Sequence, residues 1–368
     1  MRRLSTAILL SAATLALLLT LSAGAGSTPA PRVETGKLRA LLNTSAEIEV
    51  FVQDADSLGW IDSEHAVHVA RLSKPSRTVV GWLETDVIGG GPVAPPQLAL
   101  GGVRAVWPGY DGGASRETVI KTGALGYHPK RGERRAAIVT VFSYSNDSFQ
   151  GTYLGGLAGD GSTLVFGHTD EVCPGEPCGL FQVAGGGVTR VISRKRSAQI
   201  PNVVPPAMLA VSQGRIAIVP AASLPWAGGL PSLPAIAENG PVQVYNLAGR
   251  LLSSVRPVGT VKAVALAWPQ MAVLMGRHDG TQAIERYNAA SGALGATTVV
   301  PSSATDLALG TSGLVYRVGR AIYTIRTGHP ALVWRAKAQP IGLSIEGRRV
   351  AWAVDLKGRG RIVALTLR

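Results

Sequence analysis

The sequence predicts an all-β fold, a seven-bladed β-propeller of four-stranded antiparallel blades, and two observations carry this prediction. First, a ten-residue pattern recurs seven times, in which an apolar residue is followed nine positions later by a second apolar or aromatic residue. Second, further strand-like segments follow the copies, and no amphipathic helix pattern appears after the N-terminal segment. Because a single sheet of this kind cannot bury both faces, units repeated every 36 to 59 residues indicate radially packed blades.

Each copy is typical of two short strands joined by a tight turn; a third strand follows each copy, and a fourth follows most. In the third blade, for example, GLFQVAG is the predicted third strand and VTRVIS the fourth. The alternative is a two-sheet sandwich with accidental similarity, but seven copies with one internal spacing favour the propeller. We expect the following residues at equivalent second-strand positions between blades: Trp60, Trp107, Phe166, Ile218, Val273, Tyr316 and Trp352.

The two ends of the chain are predicted to meet. The last copy reaches Arg368 without a fourth strand of its own, so a segment within residues 31–44 is expected to complete that blade. We therefore predict that the N-terminal and C-terminal segments pair and close the ring.

The N-terminal 25 residues predict export. Arg2 and Arg3 precede an almost wholly apolar stretch, and Ala23-Gly24-Ala25 supplies the small residues that a signal peptidase accepts. We expect cleavage after Ala25, an N-terminal segment over residues 26–45 and the propeller over residues 46–368, in a secreted or envelope-associated protein. No second apolar run of about 18 residues follows, so no membrane span is expected after cleavage; the alternative is an uncleaved anchor.

The chain is basic, which bears on its partners. Its 36 Lys and Arg residues against 23 Asp and Glu give a net charge of +13, and removal of the N-terminal segment leaves +11. A spread positive excess attracts anionic surfaces, whereas nucleic-acid binding usually shows a denser basic patch with aromatic residues. We expect a monomer that binds a protein or an anionic cell-envelope polymer, and no nucleic acid.

The only two cysteines, Cys173 and Cys178, stand five positions apart in EVCPGEPCGLF. A redox pair is usually C-x-x-C at the start of a helix, and the prolines of this segment argue against a helix. A zinc site needs about four ligands, and the nearby His168 and Asp170 leave that alternative open. A disulfide suits an exported chain best, so we predict a Cys173–Cys178 bridge that braces this loop.

The candidate binding residues lie in the predicted loops between second and third strands. They share His and Asp side chains, which suit a sugar, a peptide or a cation: Asp62, His65, Asp111, His168, Asp170, His278 and Asp279. The alternative for each is a role in the turn itself, since Asp-Gly pairs are common hairpin signals. A proline-rich insertion over residues 220–240 presents Trp226 as a further candidate, because long loops in compact domains are often functional.

These repeats resemble those of exported bacterial propellers of the TolB-like, WD-like and quinoprotein-like groups. YNAASGAL, residues 287–294, is similar to a strand–turn–strand piece common in quinoprotein-type blades. The resemblance covers nearly the whole chain after the N-terminal segment but is one of architecture. No docking tryptophan recurs in register, so it implies no quinone cofactor.

The sequence favours a binding or scaffold module. It contains no G-x-S-x-G elbow, no H-E-x-x-H and no P-loop, so we assign no catalytic residue, metal or cofactor. The alternative is a secreted glycan-active hydrolase or lyase on the same fold, which would need two convergent carboxylates.

Overall fold

Short alternating apolar segments between turns give this chain strands. The computed structural model describes residues 35–83, 96–111, 116–125, 139–146, 153–170, 186–192, 197–203, 206–223, 235–325 and 328–368. These residues include no helix, and so none that is long and apolar enough to cross a membrane.

The strands form seven antiparallel sheets, which we call blades 1 to 7. The first strand among the described residues is β1 (Arg39–Asn43), which belongs to the last blade. Blade 1 contains β2 (Ile48–Asp54), β3 (Ser57–Asp62), β4 (Ala66–Arg71) and β5 (Lys74–Trp82). Blade 2 contains β6 (Ala99–Gly101), β7 (Arg104–Asp111), β8 (Arg116–Ala124) and β9 (Val139–Asn146). Blade 3 contains β10 (Tyr153–Asp160), β11 (Thr163–Asp170), β12 (Gly186–Ile192) and β13 (Ser197–Gln199).

The second half of the chain repeats this plan. Blade 4 contains β14 (Pro206–Ser212), β15 (Arg215–Ser223), β17 (Val242–Asn246) and β18 (Leu251–Val255), with the short β16 (Ala235–Ile236) paired to β15. Blade 5 contains β19 (Thr260–Ala267), β20 (Gln270–Gly276), β21 (Gln282–Asn288) and β22 (Leu294–Val300). Blade 6 contains β23 (Ala304–Gly310), β24 (Gly313–Val318), β25 (Ala321–Ile325) and β26 (Pro330–Arg335). Blade 7 contains β27 (Pro340–Glu346), β28 (Arg349–Asp355), β29 (Gly360–Thr366) and β1.

The first strand of each blade lies innermost. These seven strands, β2, β6, β10, β14, β19, β23 and β27, contact one another in sequence around a closed ring. We letter the strands of each blade A to D from the axis outward. Because adjacent strands are antiparallel, the A–B and C–D turns lie at one end of the ring, the A–B face. The B–C connections and the links between blades lie at the other end, the B–C face.

The ring closes as predicted from the sequence. Strand β1 pairs with β29, with Arg39 opposite Ala364 and Asn43 opposite Arg361. The amide of Thr44 also donates to the carbonyl of Gly360 at 2.8 Å. The fourth strand of blade 7 therefore comes from the N-terminal side of the chain, and blade 1 is joined to blade 7 through both sequence ends.

The repeated nine-residue spacing corresponds to cross-strand pairs. The two ends of the pattern are register partners in five blades: Phe51 and Trp60, Leu157 and Phe166, Leu209 and Ile218, Val264 and Val273, and Leu307 and Tyr316. All seven predicted second-strand residues are buried, at most 1% exposed. Each of these residues belongs to a different apolar cluster. Each cluster fills the interface between the blade that contains this residue and the preceding blade.

The strand assignment in blade 3 needs one correction. The predicted fourth strand, VTRVIS, is in fact the third, because β12 pairs with β11 and places Val191 opposite Val165. The fourth strand is the short β13, and the predicted third strand GLFQVAG falls within residues 171–185, outside the described residues. Both segments alternate apolar and polar residues, so the pattern alone could not determine which one pairs with β11; buried Ile192 packs on Phe166 in the blade 2–3 core.

Candidate functional site

The B–C face is raised on one side of the ring. The B strands of blades 2, 3 and 4, β7, β11 and β15, contain 8, 8 and 9 residues. Those of the other blades contain 6 or 7. The last residues of these B strands are paired with the strand that follows in the chain: Asp111 with Glu117 of β8, Asp170 with Gly186 of β12 and Ser223 with Ala235 of β16. Three consecutive blades thus present long hairpins, which we call the raised hairpins, at this end.

Bulges in the innermost strands surround the axis at the same end. In six of these strands, one extra residue interrupts the register with the B strand near the B–C face. Bulges locally bend a strand and redirect side chains, and they are over-represented beside functional sites. Three of the extra residues are charged, Glu49, Lys262 and Asp306. Lys262 and Glu49 are exposed, whereas Asp306 accepts from Arg317 at 2.6 Å.

Asp62 is a structural residue of blade 1. It is 1% exposed and accepts hydrogen bonds from the amides of Glu64 and Ala66 and from His68 Nε2, which is 2.7 Å away. Burial raises its pKa, but the hydrogen bonds from His68 and the two amides outweigh burial and hold the pKa below its ordinary value. The His68 ring stacks on Trp60 with centroids 4.7 Å apart. Asp62 therefore anchors the turn and the core beneath it.

His65 lies in the B–C turn of blade 1, beside the bulge at Glu49. Its backbone is left-handed, with φ of 61°, because it occupies the tight B–C turn of blade 1. Its Nδ1 lies 4.0 Å from Glu49 Oε2, and both side chains are partly exposed. A binding role for His65 stays a prediction, and Glu49, which the bulge redirects, is a nearby carboxylate that the sequence did not indicate.

His278 and Asp279 occupy the B–C turn of blade 5. Asp279 Oδ1 accepts from the amide and the hydroxyl of Thr281, at 2.9 and 2.6 Å. These hydrogen bonds lower the pKa of Asp279, so its main role is in the turn. His278 Nε2 lies 2.8 Å from Glu238 Oε1 in an exposed pair that joins this turn to the segment following β16.

The other predicted residues lie at or beyond the raised hairpins. Asp111 ends β7, His168 and Asp170 lie at the end of β11, and for these the structure describes the backbone alone. Trp226, Cys173 and Cys178 lie outside the described residues. Their chain positions connect β15 to β16 and β11 to β12, so the two elaborated connections belong to the adjacent blades 3 and 4, as predicted.

Hydrogen bonds between the A–B turns of neighbouring blades form a second polar feature, which the local sequence patterns did not indicate. The fourth residue of the repeat pattern accepts a hydrogen bond from the amide of the fifth residue in a following blade. Asp160 accepts from Gln213 at 2.6 Å, and Ser212 accepts from Trp268 at 3.2 Å. Glu346 accepts from the amide of Ala55. We call this set of contacts the turn relay.

Asp54 connects the A–B turns of three blades in the turn relay. Its Oδ2 accepts from the amide of Gly102 in blade 2 and from the amide of Gly161 in blade 3 at 2.8 Å. Blade 2 has Gly101 at the equivalent position, because a side chain there would meet Leu164 Cγ at 2.8 Å. Asp54 thus provides the acceptor that blade 2 lacks.

Burial raises the pKa of Asp54, and the carboxylate of Asp160 adds to this effect. Burial also raises the pKa of Glu346, with Asp54 as a second cause. Two carboxyls with raised pKa are the feature that the glycan-active alternative needs. Both, however, accept hydrogen bonds from turn amides, so their positions are accounted for by the joining of blades, and their raised pKa values follow from burial at those turns. Among the described residues, no group of three or more His, Cys, Asp or Glu side chains is arranged to hold a metal ion.

Comparisons with known proteins extend only to the fold. No protein-family profile matches this chain, and no curated protein is similar to it in sequence. The crystal structure of RRP9 WD40 repeats is similar over 92% of this chain and 100% of that chain, with a TM-score of 0.52 and 12% identity. The crystal structure of the computationally designed Ika8 protein is similar over 88% of this chain and 98% of that chain, with a TM-score of 0.50 and 12% identity. These likenesses show a propeller architecture.

Proposed function

We propose that this chain is a binding or scaffold module that engages a protein or an anionic cell-envelope polymer through the B–C face of blades 2 to 4. The observation that carries the proposal is the set of raised hairpins on three consecutive blades, β7, β11 and β15. Propellers commonly act as binding modules, and binding residues are disproportionately found on loops that a rigid scaffold positions.

The remaining blades provide little for a partner to contact at this end. The B–C turn of blade 6 joins Val318 to Ala321 through two residues, and that of blade 1 is held by Asp62. The connections of blades 3 and 4 are long and contain prolines, the predicted disulfide and Trp226. Loops restrained in this way lose less conformational entropy on binding, and tryptophan is a common hot-spot residue.

The proposal includes export. An N-terminal signal removed after Ala25, followed by a segment over residues 26–45 and the propeller over residues 46–368, gives a basic protein outside the cytoplasm. Its net charge of +13, or +11 after cleavage, favours a partner with anionic surface. The repeats, which resemble those of exported bacterial propellers of the TolB-like, WD-like and quinoprotein-like groups, support this part of the proposal. Intact-mass measurement of secreted material tests the cleavage, which a mass retaining residues 1–25 would contradict.

Binding to an immobilised envelope fraction tests the proposed face. A variant carrying Trp226→Ala, Cys173→Ser and Cys178→Ser should bind at least about tenfold more weakly while its unfolding midpoint stays close to the parent value. The matched control replaces Arg131, Arg134 and Arg135, whose chain positions connect β8 to β9, with glutamine. Binding that survives the first set of changes but is lost in the control would show that the face is misplaced and that a diffuse anionic ligand is the better description.

A further inference from the structure

Strand β22 forms an open outer edge of blade 5. It is the last strand in the order β19-β20-β21-β22, and no other described strand pairs with its outer side. Its sequence, LGATTVV, contains no charged residue and no proline. An edge strand of this kind is a template for pairing with another extended chain, because its outward amides and carbonyls lack strand partners.

Five of the six other outer strands are protected in ways that β22 is not, whereas β9, VTVFSYSN, is also free of charge and proline. Strand β13 has three residues, and β18 and β1 have five each. Strand β5 contains Lys74 and Pro75, and β26 begins with Pro330 and ends with Arg335. Short length, charge and proline are the usual means by which proteins block edge pairing. Strand β9 is described through its backbone alone.

The hydrogen-bond pattern identifies which residues of β22 face outward. The amide of Asn288 donates to Ala293 across the hairpin, so the amide of Asn288 points toward β22. Because amide direction alternates along an antiparallel strand, Arg286, Ile284 and Gln282 also bond to β22. Their register partners Ala296, Thr298 and Val300 use their backbone groups within the sheet. Thr297 and Val299 therefore direct their amides and carbonyls away from it.

The side chains anchor the strand and leave this edge accessible. Thr298 and Val300 are buried, and Thr298 Oγ1 donates to the carbonyl of Gly328 at 3.1 Å. Val299 is 59% exposed and Leu294 55% exposed. Exposed Val299 and Thr297 lie on the side of blade 5 that faces blade 4, since their register partners Ala283 and Glu285 lie on that side.

The charges around β22 are predominantly basic. Arg250 and Arg256 flank β18 of blade 4 and are exposed, and Arg286 is the register partner of Ala296. The nearest carboxylate along the sheet, Glu285, is buried and accepts a hydrogen bond from the Tyr287 hydroxyl. Pairing of β22 with a second copy would bring two chains of net charge +13 together, which electrostatic repulsion opposes.

We propose that β22 binds an extended peptide segment of another protein by strand addition, and that the segment alternates β-branched residues and has acidic flanks. In this mode backbone hydrogen bonds supply affinity and alternate side chains supply specificity. Here Thr297 and Val299 provide both the outward backbone groups and the exposed side chains, and exposed Arg250 and Arg256 of the neighbouring blade 4 provide the positive charge for the acidic flanks. The β22 edge and the proposed B–C face consist of different residues. An experiment can therefore contradict one of the two proposals without contradicting the other.

A fluorescent peptide of alternating threonine and valine, flanked by pairs of glutamates, serves as the probe. It should bind the full chain, and the same peptide flanked by lysines should bind at least about tenfold more weakly at low salt. Val299→Lys should weaken binding of the glutamate-flanked peptide by at least about tenfold, because it places a charge on the paired edge. Val258→Lys is the matched control, since Val258 is 65% exposed but lies outside any strand.

In amide-resolved NMR, the peptide should shift Thr297 and Val299 more than Thr298 and Val300. Equal effects of the two lysine variants, or no binding up to the solubility limit of the peptide, would overturn the proposal. A concentration-dependent dimer abolished by Val299→Lys would also overturn it, because β22 would then pair with a second copy of this chain.

Discussion

The carboxylate of Asp54 in blade 1 accepts a hydrogen bond from the amide of Gly161 in blade 3, at 2.8 Å, and another from Gly102 in the blade between them. One side chain thus joins three consecutive blades at the A–B face. Its charge repels Asp160 and Glu346, so the same residue both connects the turns and concentrates negative charge beside the axis.

Loss of the Asp54 acceptor should destabilise the ring. Asp54→Ala leaves two partly buried amides without their acceptor and should cost about 2–4 kcal/mol in the free energy of unfolding. Asp54→Asn keeps an acceptor oxygen and removes the repulsion, so its cost should stay within about 1 kcal/mol. Urea unfolding measures both, and Asp56→Ala, at an exposed neighbouring carboxylate, is the control. A cost for Asp54→Ala no larger than that of the control would contradict the relay.

The raised pKa values of Asp54 and Glu346 predict a direction of pH dependence. A carboxyl whose pKa is raised on folding binds its proton more tightly in the folded state, so its contribution to stability increases as the pH falls. The gain begins at the folded-state pKa and is complete below the ordinary values of 3.8 and 4.5. Relative to the parent, Asp54→Asn with Glu346→Gln should therefore lose stability on acidification from pH 7 to 4. An unchanged or opposite difference in unfolding midpoint would show that these carboxyls do not titrate in this way.

Replacement of Asp62 should destabilise the fold far more than replacement of Asp279, although the sequence predicts the same role for both residues. Asp62→Ala leaves buried His68 and two amides without their acceptor and should cost about 3 kcal/mol or more. Asp279→Ala removes an exposed turn contact and should change the stability far less. Thermal unfolding of the two variants tests this contrast, and similar shifts in the unfolding midpoint would refute the structural role assigned to Asp62.

The Cys173–Cys178 disulfide stays a prediction from the sequence. Thiol counting under denaturing, non-reducing conditions should find no free thiol in secreted material, because the proposed export takes the chain into an oxidising compartment. Two free thiols, or one zinc ion per chain, would favour the alternatives.

Local spacing predicted the architecture well. The nine-residue interval from Phe51 to Trp60 is a hairpin with both ends in register, and such pairs depend on a single turn. Closure by β1 was also predictable, because the last repeat lacks a fourth strand. The third blade was harder, since GLFQVAG and VTRVIS alternate in the same way and only packing of Ile192 on Phe166 decides between them.

The polar features depend on contacts between blades, so they were harder to predict from the sequence. Asp54 and Gly161 are 107 positions apart, and no local pattern links them. A comparison of the fourth position across repeats would have shown Asp54, Asp160 and Glu346, which is the one sequence signal of the turn relay. The bulges that redirect Glu49 and Lys262 leave no comparable mark, because an extra residue is recognised only against its partner strand.

Hydrogen–deuterium exchange of the chain with and without its bound envelope partner tests the central proposal most directly. The account predicts protection at the ends of the raised hairpins, over residues 108–111, 167–170 and 219–223. The A–B turns around Asp54, Asp160 and Ser212 should exchange as in the free protein. Protection confined to those A–B turns, with the raised hairpins unchanged, would contradict the assignment of the binding face.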